Sequence, residues 1–495
     1  MRRAEAVLTN ELHGVGAAVA RNFASLAAGR LGSQLLGFVT NAYLARRVAP
    51  AGFGAIGLAQ AAMTYLTIFS DSGLSTIAVR EGAQHPGKIQ GLISSISGLR
   101  LLLATGCMIV GLAVAGFLPY SESSCQILRI FALSLPVQAL AVDWVFRAIQ
   151  KMHYMAIVQV ASSLATLALT LALVRGAGHV LRVPAIAVGV GALGVALSVQ
   201  LLCRAGYRLR LWFVFSAFRS HLSQSLPLCA ASLAITLYIQ VNYLILGKVH
   251  GETEVGLYSA AARMTSVLST PFWLYYAAMV PVLMGLYAQS KPRAAVFLAH
   301  SVRITSVFGF AMLAVGLAAN RLLVRTIFGP AFLQSVPVFS VMLSSAAVVA
   351  VSHNWGQLAI AANRERLVLK GTLLGGVVNL MACGVLVQPF GAVGAAVGNL
   401  SAEIAVALAL FSPWPAQFRA TGLRPALGPA VSCLIALLVA HIASPWGEAY
   451  AVAVCTVTYG AGLLLFRTIS REELRFARSA LSSFFARPAQ GVPHV

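Results

Sequence analysis

Apolar runs of about 20 residues, the length that crosses a bilayer as helix, recur from one end of the chain to the other. Fourteen can be marked, at 22–44, 53–79, 92–118, 127–149, 155–174, 184–203, 222–247, 256–288, 301–319, 335–361, 368–388, 391–411, 425–443 and 447–466. The polar stretches between them are all shorter than about 20 residues, so no sizeable soluble domain is expected on either side of a membrane. Barrel strands would read as alternations of about ten residues, which these runs are not. The pattern predicts an all-α polytopic membrane protein of about 14 transmembrane helices.

Composition agrees. Of 495 residues 59% are hydrophobic and 10% charged, against about 25% charged in soluble domains. Lys and Arg number 35 against 13 Asp and Glu, a net charge of +22. In a soluble chain that excess would suggest nucleic acid. Here twenty-three of the basic residues fall in the loops of one side and seven in those of the other, so the positive-inside rule accounts for it and no nucleic-acid partner is expected. Both termini are expected in the cytoplasm. Residues 1–21 read as no signal peptide, because Glu5, Glu11 and His13 interrupt any apolar core. The seven cysteines form no CxxC pair and six lie within apolar runs, which excludes a zinc site or a disulfide framework; no metal and no cofactor are expected. Residues 204–219 mix Arg204, Arg208, Arg210 and Arg219 with Trp212, Phe213, Phe215 and Phe218, as a helix lying among cytoplasmic headgroups would. The tail after Ser470 reads as a second amphipathic helix, with Glu473 completing a capping box.

Weak internal similarity runs through the chain. NAYLARRVAPAGFGAIGLAQAAM from Asn41 resembles NYLILGKVHGETEVGLYSAAARM from Asn242, matching Gly52 with Gly256 at an offset of 204. Asp143-Trp144 matches Asn354-Trp355 at an offset of 211. The two matches imply a duplicated six-span unit. Six is even, so both copies enter the membrane the same way and leave a central cleft that rocking exposes to alternate sides. The expected division is an N-lobe (1–203), a cytoplasmic linker (204–221), a C-lobe (222–412), two further helices (413–467) and a cytoplasmic tail (468–495): two six-helix pseudo-symmetric lobes plus two C-terminal helices.

Ionisable groups at membrane depth are functional candidates by default, since each is costly unless it faces a cavity or a partner. Arg30 lies mid-span in the first run and Arg263 about two turns into the eighth. Asp71 lies in the second, Glu403 in the twelfth, and Asp143 and Arg147 stand i,i+4 in the fourth, where they can pair. Arg100 and Arg303 lie close enough to span ends to reach the headgroups. Pro136, Pro271 and Pro281 interrupt the fourth and eighth spans, freeing backbone carbonyls. Arginines reaching in from both halves suit phosphate or carboxylate oxygens. The expected substrate contacts are Arg30, Arg263, Asn41 and Asn242; the expected ion-coupling residues are Asp71, Asp143, Arg147 and Glu403. A phosphate-binding GxxxxGK[ST] loop is missing, as are an acidic pair for a metal and a soluble module, so the chain is read as no enzyme.

Several stretches carry a family resemblance. The region from Asn22 to Glu81, with Ala45-Arg46-Arg47 at a span end, a Gly52-Phe53-Gly54 turn and Asp71-x-Gly73-Leu74, resembles the opening of Wzx-type polysaccharide-transporter flippases. Glu254–Met264 followed by Pro281 resembles their eighth helix. Asn363–Leu380 and Phe390–Glu403 resemble their eleventh and twelfth. The resemblance places the chain in the multidrug/oligosaccharidyl-lipid/polysaccharide exporter superfamily. It implies two six-helix lobes forming a V, a cationic central cavity, export of undecaprenyl-pyrophosphate-linked oligosaccharide, and antiport against protons or sodium. It also implies the membrane itself and polysaccharide polymerase machinery as partners. Relatives that flip lipid II carry cavity arginines in the first helix where Gln34 and Thr40 stand here, which favours the flippases of shorter repeats.

The reading is a lipid-linked oligosaccharide flippase. The alternative is a multidrug-type cation antiporter of the same superfamily, which the arginine excess and the two added helices oppose. A membrane-embedded polymerase or ligase would need a large outer loop, and a scaffold would tolerate loss of every intramembrane charge.

Overall fold

The computed structural model describes residues 2–117, 119–211 and 215–468. Among the described residues the chain is helical and contains no strand. In order the helices are α1 (Arg2–Asp71), α2 (Leu74–Gln84), α3 (Ile89–Val114), α4 (Glu122–Ala132), α5 (Ser134–Ala139), α6 (Asp143–Ala148), α7 (Met152–Leu173), α8 (Arg182–Arg204), α9 (Phe215–His250), α10 (Glu252–Gln289), α11 (Lys291–Ala318), α12 (Asn320–Ile327), α13 (Val336–Ala361), α14 (Glu365–Phe411), α15 (Ala416–Ala443) and α16 (Glu448–Leu465).

Eleven described helices are long and apolar enough to cross a membrane, and each difference from the fourteen expected spans has a local cause. The first and second spans are both carried by α1, which bends at Ala49 (φ 60, ψ 171) just before Pro50. Proline removes the backbone donor and disfavours helix at the residue before it. The eleventh and twelfth spans are both carried by α14, which turns at Gly391 (φ 54, ψ −131) beside Pro389. There the N–H of Ala392 donates to Glu254 Oε2 at 2.8 Å, capping the second half with a carboxylate. The fourth span is laid down as three short helices, α4 to α6, with Pro136 in the middle one.

Other expectations are corrected. The Gly52-Phe53-Gly54 stretch is helix, and the turn lies at Ala49-Pro50 before it. The long α10 runs unbroken through Pro271 and Pro281. Of the expected interfacial helix over 204–219, residues 207–211 are non-helical after Gly206 (φ 92), residues 212–214 lie outside the described residues, and 215–219 already belong to α9. Gln90 pins that stretch by exchanging hydrogen bonds with the backbone of Arg208 at 2.6 and 3.0 Å. Trp212 and Phe213, and the tail beyond Thr468 with its expected capping box, lie outside the described residues.

The helices gather into two compact units that do not follow chain order. The first takes Met1–Tyr275, Leu323–Ser345 and Glu365–Ala409, so it draws on both expected lobes. In it α1 lies along α7, with Gly29 and Gly32 facing Ala156 and Val160, and Leu74, Ile93, Ile96, Trp144, Phe146 and Leu202 form a shared core. The second unit takes Tyr276–Leu322, Ala346–Arg364 and Leu410–Val495. Here α11, α15 and α16 pack around Ala314, Cys433, Ala436, Cys455 and Tyr459. Small residues let the backbones approach, the packing available where lipid supplies no hydrophobic drive. Tyr459 Oη donates to the Val307 carbonyl at 2.7 Å.

Candidate functional site

Within the first unit, α1 and α10 cross backbone to backbone. A Cβ on Gly54 would fall 1.7 Å from the Glu252 carbonyl oxygen, and one on Gly256 would fall 2.0 Å from that of Pro50. The contacts are reciprocal, Pro50 standing to Glu252 as Gly54 stands to Gly256, 202 residues apart in each case. Gly57 meets Ser259 at the same spacing, its Cβ position 2.4 Å from the Ser259 hydroxyl. The left-handed Ala49 and Gly251 (φ 77) are again 202 apart. A local two-fold relation therefore runs between these helices at an offset of 202, two residues from the offset of 204 read from the letters. Alanine-rich sequence aligns almost as well in either register; the backbone crossing accepts one.

Beyond the crossing the two helices part and enclose a cavity of about 560 Å³. Its four walls repeat the same relation. Gly37, Phe38 and Asn41 of the first half of α1 face Ile239, Gln240 and Tyr243 of α9. Gln60, Ala61 and Thr64 of the second half of α1 face Ala262, Arg263 and Ser266 of α10. At the far end Gln34 Nε2 donates to Thr270 Oγ1 at 2.5 Å, joining α1 to α10 again.

The charge of this cavity is carried by one side chain. Arg263 is half-buried, donates from Nη2 to Gln60 Oε1 at 2.6 Å and sets its guanidinium 5.4 Å from the ring centre of Phe53, a cation–π distance. Both partners are neutral, and the lining contains no carboxylate. Eleven residues into α10, Arg263 lies about 16 Å along the axis from the helix start at 1.5 Å per residue. The rest of the polar lining is amide and hydroxyl: Gln34, Asn41, Gln60, Thr64, Gln240 and Ser266.

Of the expected substrate contacts, Arg263 and Asn41 line the cavity, Asn41 donating to the Gly37 carbonyl at 2.7 Å. Arg30 is exposed and is not among the lining residues. Asn242 is fully buried behind the wall, where it donates to Tyr258 Oη at 2.8 Å and accepts from Asn379 Nδ2 at 2.9 Å. The glutamines were missed, because an uncharged amide gives no signal in a sequence searched for ionisable groups.

The expected coupling residues fall in two places, both away from the lining. Asp71 Oδ1 pairs with Arg100 Nε at 3.1 Å and accepts from Ser75 Oγ at 2.5 Å. Arg100 also donates to the Ala141 carbonyl at 2.9 Å. It is thus held in the protein by a half-buried acid and does not reach to the headgroups as expected. Asp143 and Arg147 lie within electrostatic range of Arg100, and among the described residues they make no ion pair with each other. Glu403, half-buried on α14, accepts from Tyr238 Oη of α9 at 2.5 Å.

A family model described as "Polysaccharide biosynthesis protein" matches residues 19–286, which takes in every wall of the cavity. The chain belongs to this family. A curated relative, the putative O-antigen transporter of Escherichia coli (strain K12), is 22% identical over 390 residues, 78% of this chain and 94% of the relative. The fold is shared with the lipid II flippase MurJ in an inward closed conformation, at a TM-score of 0.73 and 12% identity over 89% of this chain and 98% of that one. It is shared also with an inward-facing multidrug resistance MATE family transporter of the MOP superfamily, at 0.62 and 12% over 79% and 94%. This member of the polysaccharide biosynthesis protein family is a multi-pass membrane protein of the transporter class and not an enzyme.

Proposed function

We propose that the chain flips undecaprenyl-pyrophosphate-linked oligosaccharide from the cytoplasmic to the periplasmic leaflet of a bacterial inner membrane. The observation that carries this reading is Arg263, the one full charge in a neutral polar cavity. An arginine without a carboxylate partner attracts an anion, and its planar fork matches two phosphate oxygens. The amides of Gln34, Asn41, Gln60 and Gln240 offer donors and acceptors to sugar hydroxyls. A cavity of about 560 Å³ suits a headgroup of drug-like size, while the polyprenyl tail stays in lipid. A charged, hydrated headgroup cannot cross about 30 Å of hydrocarbon unaided; a polar path that opens alternately to each side removes that barrier. Arg30 would meet the pyrophosphate at the membrane side, before Arg263 receives it. Coupling to protons or sodium would run through the Asp71–Arg100 pair with Asp143 and Arg147, or through Glu403 and its tyrosine. The 22%-identical O-antigen transporter supports the glycan class.

The test is Arg263→Gln in a deletion strain, scored by surface polysaccharide. Loss of one charge-assisted phosphate contact predicts a 10- to 100-fold fall in export, lipid-linked glycan accumulating inside and the protein level in the membrane unchanged. Normal export, or loss of cationic-drug efflux in place of glycan export, refutes the reading.

A further inference from the structure

The cavity of the first unit sorts its hydrogen-bonding groups by kind, and the sorting constrains what can fill it. Three amides line it with one end already committed. Asn41 Nδ2 donates to the Gly37 carbonyl at 2.7 Å. Gln34 Nε2 meets the Ser266 carbonyl at 3.4 Å and Thr270 Oγ1 at 2.5 Å, and the Thr270 hydroxyl gives its own proton to that same carbonyl at 3.0 Å. Gln60 Oε1 accepts from Arg263. A carbonyl only accepts and a guanidinium only donates, so each amide has one possible orientation. The ends left uncommitted among the described residues are Asn41 Oδ1, Gln34 Oε1 and Gln60 Nε2. Thr64 adds a third oxygen, since its proton goes to the Gln60 carbonyl at 2.9 Å. The side-chain ends of Gln240, Tyr243 and Ser266 can serve either way.

The committed groups therefore offer donors at one place, the Arg263–Gln60 pair, and bare oxygens elsewhere. An anion is met by the pair alone. The oxygens are met only by an occupant that brings O–H or N–H groups of its own. A cation would suit the oxygens, but Arg263 repels it and no carboxylate in the lining offsets that repulsion. An occupant that satisfies both kinds carries an anionic group with hydroxyls beside it.

Asn41 is the oxygen placed nearest the anion in depth. It stands nine residues before Pro50, about 14 Å along its helix, and Arg263 eleven after Glu252, about 16 Å; Pro50 and Glu252 both lie at the crossing of the two helices. Phe38, one turn from Asn41, and Tyr243 line the cavity beside it, each set edge-on to a second ring, Phe328 and Tyr258. Aromatic surface of this kind packs against the C–H faces of a sugar ring. The helix itself has no need of asparagine here. Its one described bond goes to a carbonyl four residues back, and asparagine is a poorer helix former than leucine.

Resting on the flippase reading above, we propose that Asn41 is a specificity-determining residue for the sugar bonded to the pyrophosphate. Its Oδ1 accepts from a hydroxyl of that sugar while Arg263 and Gln60 hold the phosphate oxygens. Gln34, about 10 Å further along α1, offers a second oxygen to the sugar that follows.

The full-length protein in detergent is titrated with undecaprenyl pyrophosphate carrying no sugar, glucose, N-acetylglucosamine, or glucose with its hydroxyls methylated, and affinity and thermal midpoint are read. The wild type is expected to bind at least one of the two sugar-bearing lipids about tenfold more tightly than the bare one, the worth of one good hydrogen bond, and to lose that margin on methylation. Asn41→Leu should keep the thermal midpoint and the affinity for the bare lipid while the margin disappears; Asn41→Gln, which retains the amide, should keep part of it. Arg263→Gln should weaken all four lipids alike. Equal binding of bare and sugar-bearing lipids by the wild type overturns the proposal, as does an Asn41→Leu protein that keeps the margin or loses affinity for every lipid equally. Failure of the wild type to bind any of the four overturns the flippase reading, and this inference with it.

Discussion

The cavity has two walls of matching build: the halves of α1, bent at Ala49-Pro50, and the pair α9 and α10, joined at Gly251. Residue by residue they correspond at an offset of 202, Asn41 with Tyr243, Gln60 with Ala262, Ala61 with Arg263, Thr64 with Ser266. The small residues at the crossing are kept on both sides, Gly54 opposite Gly256 and Gly57 opposite Ser259. The polar groups are not. One wall carries the arginine, the other an alanine in its place and a glutamine beside it, and that glutamine reaches across to hold the arginine at 2.6 Å. Packing thus conserves a two-fold relation that the chemistry breaks. One guanidinium held off-centre against an amide gives an anion a defined seat; two facing guanidiniums would repel each other and split it.

The largest expected effect comes from breaking what the walls share. Gly256→Ala puts a methyl 2.0 Å from a backbone carbonyl that no rotamer change can move, so the helices must part. The expected loss is about 3 kcal/mol, read as a lower thermal midpoint and less protein in the membrane; an unchanged midpoint would contradict the crossing. Next is the feature the walls do not share. Arg263→Ala combined with Ala61→Arg moves the charge to the equivalent position. If the charge is what the cavity needs, export should recover about tenfold over Arg263→Ala alone, or roughly 1.4 kcal/mol. No recovery would mean that the off-centre seat matters more than the charge. The smallest effect concerns the bends. Ala49 is exposed and adopts φ 60, ψ 171, a region nearly confined to glycine. Ala49→Gly, which copies Gly251, should raise stability by about 1 kcal/mol; a lower midpoint would show that the methyl contributes something the bend requires.

Much of this organisation is legible in the letters. The apolar runs match the helices to within a few residues over α8, α13 and α16, and the internal similarity pointed to the kinship of the two walls. Misreadings cluster where lipid blurs the signal. Lipid-facing and protein-facing sides are both apolar in a membrane helix, so the periodicity that orients a soluble helix cannot tell whether Arg30 or Arg263 faces inward. For the same reason Asp71 could be matched in sequence with several arginines, and its partner Arg100 emerged only from the packing of α1 on α3. Asn242, an expected substrate contact, sits behind the wall, one position before the residue that lines it.

Sequence by itself determined the solvent this protein lives in, its all-α polytopic class and the family to which it belongs, because apolar length and local motifs are properties of contiguous residues. Only the tertiary structure decided the register of the repeat and the single charge in the cavity. Both depend on how segments about 202 residues apart approach, so closely that a Cβ on Gly256 would fall 2.0 Å from the Pro50 carbonyl oxygen, and no local pattern encodes that approach.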